Sequence, residues 1–402
     1  MRGITAVVGA IALILATCAA GAAAPKTKTK SNVTFTTLYN FTDSSTDGAY
    51  TYGQPVLTKA GNIVGTACGG GANGDGTVWS LNSSGTLTVL HSFDGTDGQC
   101  PYTGVTLQPS KNNMFGTTAY GGSASFGTVW SIDSSGTYST LYNFGSQSGD
   151  PEYIYSDVVL DPKGNVYGTS EEGGADGFGA VWELSSTGTV TVLHSCADSS
   201  SDCGFPFLSN LHRDAAGDLF GVAEEGGSGG CGVLFEQSAG GTFTVLHSFN
   251  CGSDGTFPTG GVLEYKGNLY GTAFEGGANG YGTVWQYNIS SSTFTVLHSF
   301  DYTDGGYPEG GVACQQGKKT VCAGNLFGTT EEGGTSGYGT VWEINSSGTF
   351  TSLNSFDNTH GAYPLSRPFV TKAGNVYGTT YFGGSAGYGT VYEITGAKAQ
   401  KR

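Results

Sequence analysis

"GTVYEITGAKAQKR", residues 389–402, breaks off halfway through a pattern that the chain completes elsewhere. Full versions read "GTVWSLNSSGTLTVLHSF" at 76–93, "GTVWQYNISSSTFTVLHSF" at 282–300 and "GTVWEINSSGTFTSLNSF" at 339–356. The last copy lacks the run "TFTVLHSF". A run of that kind, "VTFTTLYNF" from Val33 to Phe41, stands alone at the other end of the chain. Surplus at the start therefore matches deficit at the finish. An open stack of units would gain nothing from this match, whereas a closed ring needs it to remove its unpaired edge.

All five tryptophans, Trp79, Trp130, Trp182, Trp285 and Trp342, occupy one repeated position, and Phe235 and Tyr392 fill it in two further copies. The seven copies recur every 50 to 57 residues, a spacing typical of solenoids or propellers. Each copy holds four strand-like runs. In the third they are "DVVLDP", "VYGTS", "AVWEL" and "TVTVLHSC", separated by a "KGN" turn, a Gly-rich loop and an "SSTG" turn. Composition agrees: 70 glycines among the 402 residues, abundant aromatics and only 12% charged residues suit short strands and tight turns. The expected fold is all-β, a closed seven-bladed β-propeller with four antiparallel strands per blade, its N-terminal strand completing the last blade. Its expected span is residues 32–396.

The units "GNLYGTAFEGGANGYGTVWQY" and "GNVYGTTYFGGSAGYGTVYEI", with "LHSFDYTDGGYP", resemble the GloVer tandem repeat of exported bacterial choice-of-anchor proteins. The resemblance covers nearly the whole chain after its first residues. It implies an exported repeat protein and no particular reaction.

Export is also expected from the N-terminus. Arg2, the apolar run Ala6–Ala16 and the small residues up to Gly21 and Ala22 read as a signal peptide over 1–22. Processing as a lipoprotein at Cys18 is the alternative. A polar linker over 23–31 and a basic tail over 397–402 flank the ring, and no transmembrane segment is expected in the mature chain. Eight cysteines remain after Cys18, an even number that suggests disulfides in an exported protein. Cys68 and Cys100 lie in the Gly-rich loop and the exit loop of one copy, and Cys231 and Cys251 repeat that relationship. The expected bridges are 68–100 and 231–251, with Cys196–Cys203 and Cys314–Cys322 closing short loops.

The chain carries a net charge of −16. Twenty of its 32 acidic residues fall in the Gly-rich loops and in the loops leaving the fourth strands, which by analogy with other propellers share one face. Such a face repels phosphate backbones, so a nucleic-acid partner is excluded. Solubility is one reading of the charge, and attraction of cations or basic partners another. The "DGTDG" and "DYTDGG" loops offer oxygens to Ca²⁺ but lack a full EF-hand pattern. No other cofactor or metal is expected.

His91, His194, His247 and His298 sit at one repeated strand position that Tyr or Asn also fills, so they read as structural. Glu171/Glu172, Glu224/Glu225 and Glu331/Glu332 offer carboxylate pairs for glycoside chemistry, yet they too recur at one loop position. No GxSxG or HExxH motif is present, and "GGGANGDG" precedes a strand rather than the helix a phosphate loop needs. Variable residues before the paired glycines are the better binding candidates: Tyr120, Glu172, Glu225, Glu275, Glu332 and Phe382, together with Glu171, Glu224, Glu331 and Tyr381. The expected function is a secreted or cell-surface scaffold that binds protein, peptide or glycan without catalysis. The rival is a secreted glycan hydrolase or lyase using loop carboxylates. An active site needs a few residues that break the repeat and converge, and an isolated acid pair about 5–10 Å apart in a pocket would favour the enzyme.

Overall fold

A computed structural model describes residues 33–108, 111–315, 322 and 324–397. The expected signal peptide, the linker and all but Ala397 of the basic tail lie outside them. The described residues form seven four-stranded antiparallel sheets and no helix. In the third sheet the strands are Val159–Leu160, Val166–Ser170, Ala180–Leu184 and Val190–Ser195, paired in chain order. Sheets one to six follow the same plan, innermost strand first. The seventh is the exception that closes the ring. Phe369–Val370, Val376–Thr380 and Thr390–Thr395 are completed by Thr34–Asn40, with Thr34 opposite Thr395 and Asn40 opposite Thr390.

The repeated tryptophan explains why the blades stack. It lies in the third strand, fully buried in all five copies. Opposite it in the second strand is always the glycine of a "YGT", "FGT" or "VGT" motif: Gly65 faces Trp79, Gly116 Trp130 and Gly271 Trp285. A Cβ at any of these glycines would fall on the indole, so the motif reserves space for the ring. On its other side the ring meets the phenylalanine that ends the preceding blade, as in Phe41 with Trp79 at 5.6 Å and Phe144 with Trp182 at 5.1 Å. The apolar clusters therefore span neighbouring blades. Phe144 and Val129 of blade two pack with Trp182 and Val166 of blade three. Such aromatic layers supply the area that a lone four-stranded sheet lacks.

The four repeated histidines also sit between blades. His298 Nε2 lies 2.8 Å from Asp304 of the exit loop, and its ring stacks on Phe350 of the next blade at 3.7 Å. This supports their structural reading.

The Gly-rich and exit loops share a face, as expected. Ala49 bridges Gly69, Gln99 bridges Tyr120, and Gly306 bridges Glu332. Disulfides Cys68–Cys100 and Cys231–Cys251 tie these loops together, and Cys196–Cys203 closes its short loop. Cys314 and Cys322 are buried in one apolar cluster with Trp342. One His/Cys grouping, His194 with Cys196 and Cys203, has its two sulfurs joined to each other, leaving no thiolate for a metal.

Candidate functional site at the axial mouth

The innermost strands line the ring axis, and their first residues are where the copies differ. After the residue that opens each inner segment, an aromatic in six copies and Cys100 in the second, the chain reads Tyr52-Gly53-Gln54, Tyr102-Thr103-Gly104, Tyr155-Ser156-Asp157, Ser209-Asn210, Thr259-Gly260-Gly261, Glu309-Gly310-Gly311 and Leu365-Ser366-Arg367. Seven equivalent positions thus bring unlike side chains to one place. The repeat is broken at the axis, which the sequence reading did not find. The informative column lies just before the first strand, not in the loop after the second.

The deeper ring is a polar network that ties blades together. Arg367 donates from Nε and Nη2 to Gln54 Oε1 at 3.1 and 2.9 Å, across the seam between blades seven and one. Gly104 N donates to Asp157 Oδ1 at 2.6 Å, and Asp157 N donates to Asn210 Oδ1 at 2.6 Å. Burial pushes the Asp157 carboxyl up from its ordinary range, against the pull of the Arg367 charge and the Gly104 N–H. These bonds run between blades, so this ring fastens the axis.

Above it stands an aromatic collar. Tyr52 stacks on Tyr102 at 3.6 Å, Tyr102 meets Tyr155 at 5.0 Å, and Tyr381 leans on Tyr52 at 4.4 Å. Between collar and network about 30 Å³ remains, room for one or two waters.

Four carboxyls complete the mouth. Glu309 follows the collar in blade six. Glu171, Glu224 and Glu331 are the first members of the three loop pairs. Burial pushes Glu171 up to about 7 and Glu224 up to about 8, with neighbouring carboxylates adding to it. Glu309 and Glu331 are both raised, chiefly by burial, and Glu309 also feels the charges of Glu331 and Glu224. Burial and the neighbouring carboxylates both favour the protonated forms. Going round the ring, the tyrosines come from blades seven, one, two and three, and the carboxyls from blades three, four and six. The mouth therefore has an aromatic arc and an acidic arc.

The other predicted residues are placed differently. Glu172 turns outward and pairs with Glu152 in a short two-stranded ladder. Glu225 lies near Asp198, whose charge helps raise it, and Glu332 accepts a bond from Tyr302 Oη at 3.3 Å. Glu275 is exposed on the loop. Tyr120 is 38% exposed, and its hydroxyl is 2.6 Å from that of Tyr155, so it extends the collar outward. Phe382 packs on Tyr50 at 5.5 Å. Of the ten candidates, Glu171, Glu224, Glu331 and Tyr381 converge on the axis. In the exit loops offered to Ca²⁺, Asp94 Oδ1 and Asp301 Oδ1 accept backbone N–H groups, donors that a cation would have to displace.

Among the described residues, no helix is long and apolar enough to cross a membrane. No curated protein matches the chain in sequence. Among solved structures, an oligogalacturonate lyase determined with manganese is similar at a TM-score of 0.60 and 12% identity, covering 92% of this chain and 95% of that one. The oligogalacturonate lyase of Vibrio parahaemolyticus follows at 0.56 and 10%, covering 92% and 96%. These likenesses are of fold. A weaker one, at a TM-score of 0.45 and 12% identity, is to the tricorn protease; it covers 76% of this chain but only 26% of that protein. The description Gloeobacter/Verrucomicrobia repeat fits residues 26–155 and 147–322, and the chain belongs to that repeat family.

Proposed function

We propose that the protein is an exported, non-catalytic binding propeller whose recognition site is the axial mouth on the Gly-loop face, and that its ligand is an uncharged glycan. One observation carries this reading: carboxyls of blades three, four and six converge with tyrosines of blades seven, one, two and three at a place where the repeat is broken. A sugar ring has an apolar C–H face for the aromatic arc and hydroxyls for the acidic arc. Carboxyls kept protonated by burial can donate as well as accept hydrogen bonds. The same acids would repel a polyanion, so the lyases named above lend their fold and not their substrate. Three disulfides suit export to an extracellular, periplasmic or cell-surface setting, and a fourth bridge, between Cys314 and Cys322, belongs to this proposal.

The test is a neutral-glycan array followed by calorimetry on the wild type, Glu309→Gln and Tyr102→Ala, with and without Ca²⁺. Binding weakened at least about tenfold in both variants is expected. Full binding in both, or no binding to any neutral glycan, would sink the proposal. The enzyme reading draws on the same convergence, and burial pushes Glu171 up to about 7 and Glu224 up to about 8, a range that suits general acids. Release of reducing ends or unsaturated sugars, lost in Glu171→Gln and Glu331→Gln, would replace binding by catalysis.

A further inference from the structure

The joints between blades follow a rule that fails once. Near the end of each fourth strand, one residue leans toward the next blade. In four joints it is a histidine stacked on an aromatic ring: His91 on Tyr138, His194 on Phe243, His247 on Phe294 and His298 on Phe350. Their centroids are 3.6 to 3.9 Å apart and their planes within 8°. Each Nε2 lies 2.6 to 3.1 Å from an exit-loop carboxylate. Where the next blade offers aliphatic Leu87 or Val190 instead, the residue is Tyr39 or Tyr142, whose hydroxyl bonds to Asp47 or Asp150.

The joint between blades six and seven departs from this. Phe35 supplies the aromatic platform, but the opposing residue is Asn354, and His360 occupies the position of the receiving carboxylate. His360 does not replace the stacked ring. Its Nδ1 is held by Asp357 at 2.9 Å, and it meets Phe35 edge-on at 6.3 Å and 84°. Tyr392 covers one face of Phe35. The result is a half-open cleft of about 350 Å³ lined by Phe35, Thr37, Asn354, Phe356, Asp357 and His360. The Thr37 hydroxyl on its wall is buried and has no hydrogen-bond partner.

We propose that this cleft is a second binding site, taking the imidazole of a histidine side chain from a partner peptide, stacked on Phe35. The class of occupant follows from the chain itself. Every other aromatic platform among the described residues carries an imidazole in this orientation. The cleft wall offers polar groups for the ring nitrogens: the Asn354 amide, the second oxygen of Asp357 and the unpartnered Thr37 hydroxyl. The site lies at the outer edge of the ring and is independent of the axial mouth.

The experiment uses the full chain without a histidine tag. Short peptides differing only in a central His, Phe or Ala are titrated by ligand-observed NMR, with free imidazole as a separate arm. Saturable binding of the His peptide is expected. Asn354→His places the chain's own ring in the cleft and is expected to weaken that binding at least about tenfold while keeping or raising Tm, which shows that the variant folds. Phe35→Leu is expected to weaken it too, and Glu309→Gln to leave it unchanged. Equal binding of the Ala peptide, or undiminished binding to Asn354→His, would overturn the site. A Phe peptide binding as well as the His peptide would overturn the imidazole preference. Free imidazole binding as tightly as the peptide would overturn the peptide source.

Discussion

Phe41→Ala tests whether the ring is a single closed body. Phe41 follows the N-terminal strand, is fully buried, and lies 5.2 Å from Tyr39 and 5.6 Å from Trp79. Its equivalent deep in the chain is Phe300, fully buried and 6.2 Å from Trp342. Truncating a buried phenylalanine costs about 3–5 kcal/mol, from lost transfer energy and from the cavity left behind. If the seam is as tightly packed as the internal joints, the two variants should lose similar stability. If the first strand instead docked loosely, the loss at Phe41 could not exceed the small free energy of undocking. Both variants should be unfolded in guanidinium with disulfides intact, followed by tryptophan fluorescence, whose five reporters lie in equivalent slots. A loss below about 1 kcal/mol for Phe41→Ala, beside about 3 or more for Phe300→Ala, would refute the reasoning.

Tyr392 fills the tryptophan slot of the last blade with a buried hydroxyl that has no partner, so Tyr392→Phe should leave stability unchanged or raise it by up to about 1–3 kcal/mol, checked by the denaturation midpoint. Raised carboxyls at the mouth mean that the folded chain holds protons the unfolded chain has released. Stability should therefore fall as pH rises from about 4.5 through about 8, and Glu224→Gln should flatten that fall in a Tm series. His298→Ala removes a stacked ring and leaves Asp304 without it, which should cost about 1–3 kcal/mol, with His298→Tyr milder, both read from chemical denaturation. Gly271→Ala would drive a methyl group into Trp285 and should cost about 1–3 kcal/mol or more, whereas Gly280→Ala, with open space around it, should pay only for its left-handed backbone.

The ring was legible because its signals are local and repeated. An aromatic with its reserved glycine, tryptophan in five copies, Phe235 and Tyr392 in the others, marks each blade, and the missing "TFTVLHSF" at the end names its own partner at the start. The loop bridges were legible for the same reason: Cys68–Cys100 and Cys231–Cys251 repeat one relationship in two copies. The axial site was harder to read because its residues are separated by whole blades and only closure brings them together. Gln54 and Arg367 are 313 positions apart yet share a hydrogen bond. Adjacent Glu171 and Glu172 look alike in the sequence, yet Glu171, at the bend after the second strand, is half-buried at the mouth while Glu172 is exposed on the short outer ladder. A single column, running from Gln54 through Asp157 and Asn210 to Arg367, carried the signal of departure from the repeat.

Because Thr34 lies opposite Thr395, the two ends of the described chain meet inside one sheet. The place where the polypeptide begins is then a matter of convenience to the finished ring. A gene re-cut in any outer turn, such as the exposed "NSSG" at 82–85, with a short tether joining the former ends, should yield the same circle. The original order has a different consequence. The opening segment must wait through the synthesis of every other blade before its partner exists, so the circle can lock only after the whole chain has been delivered to the place where it folds.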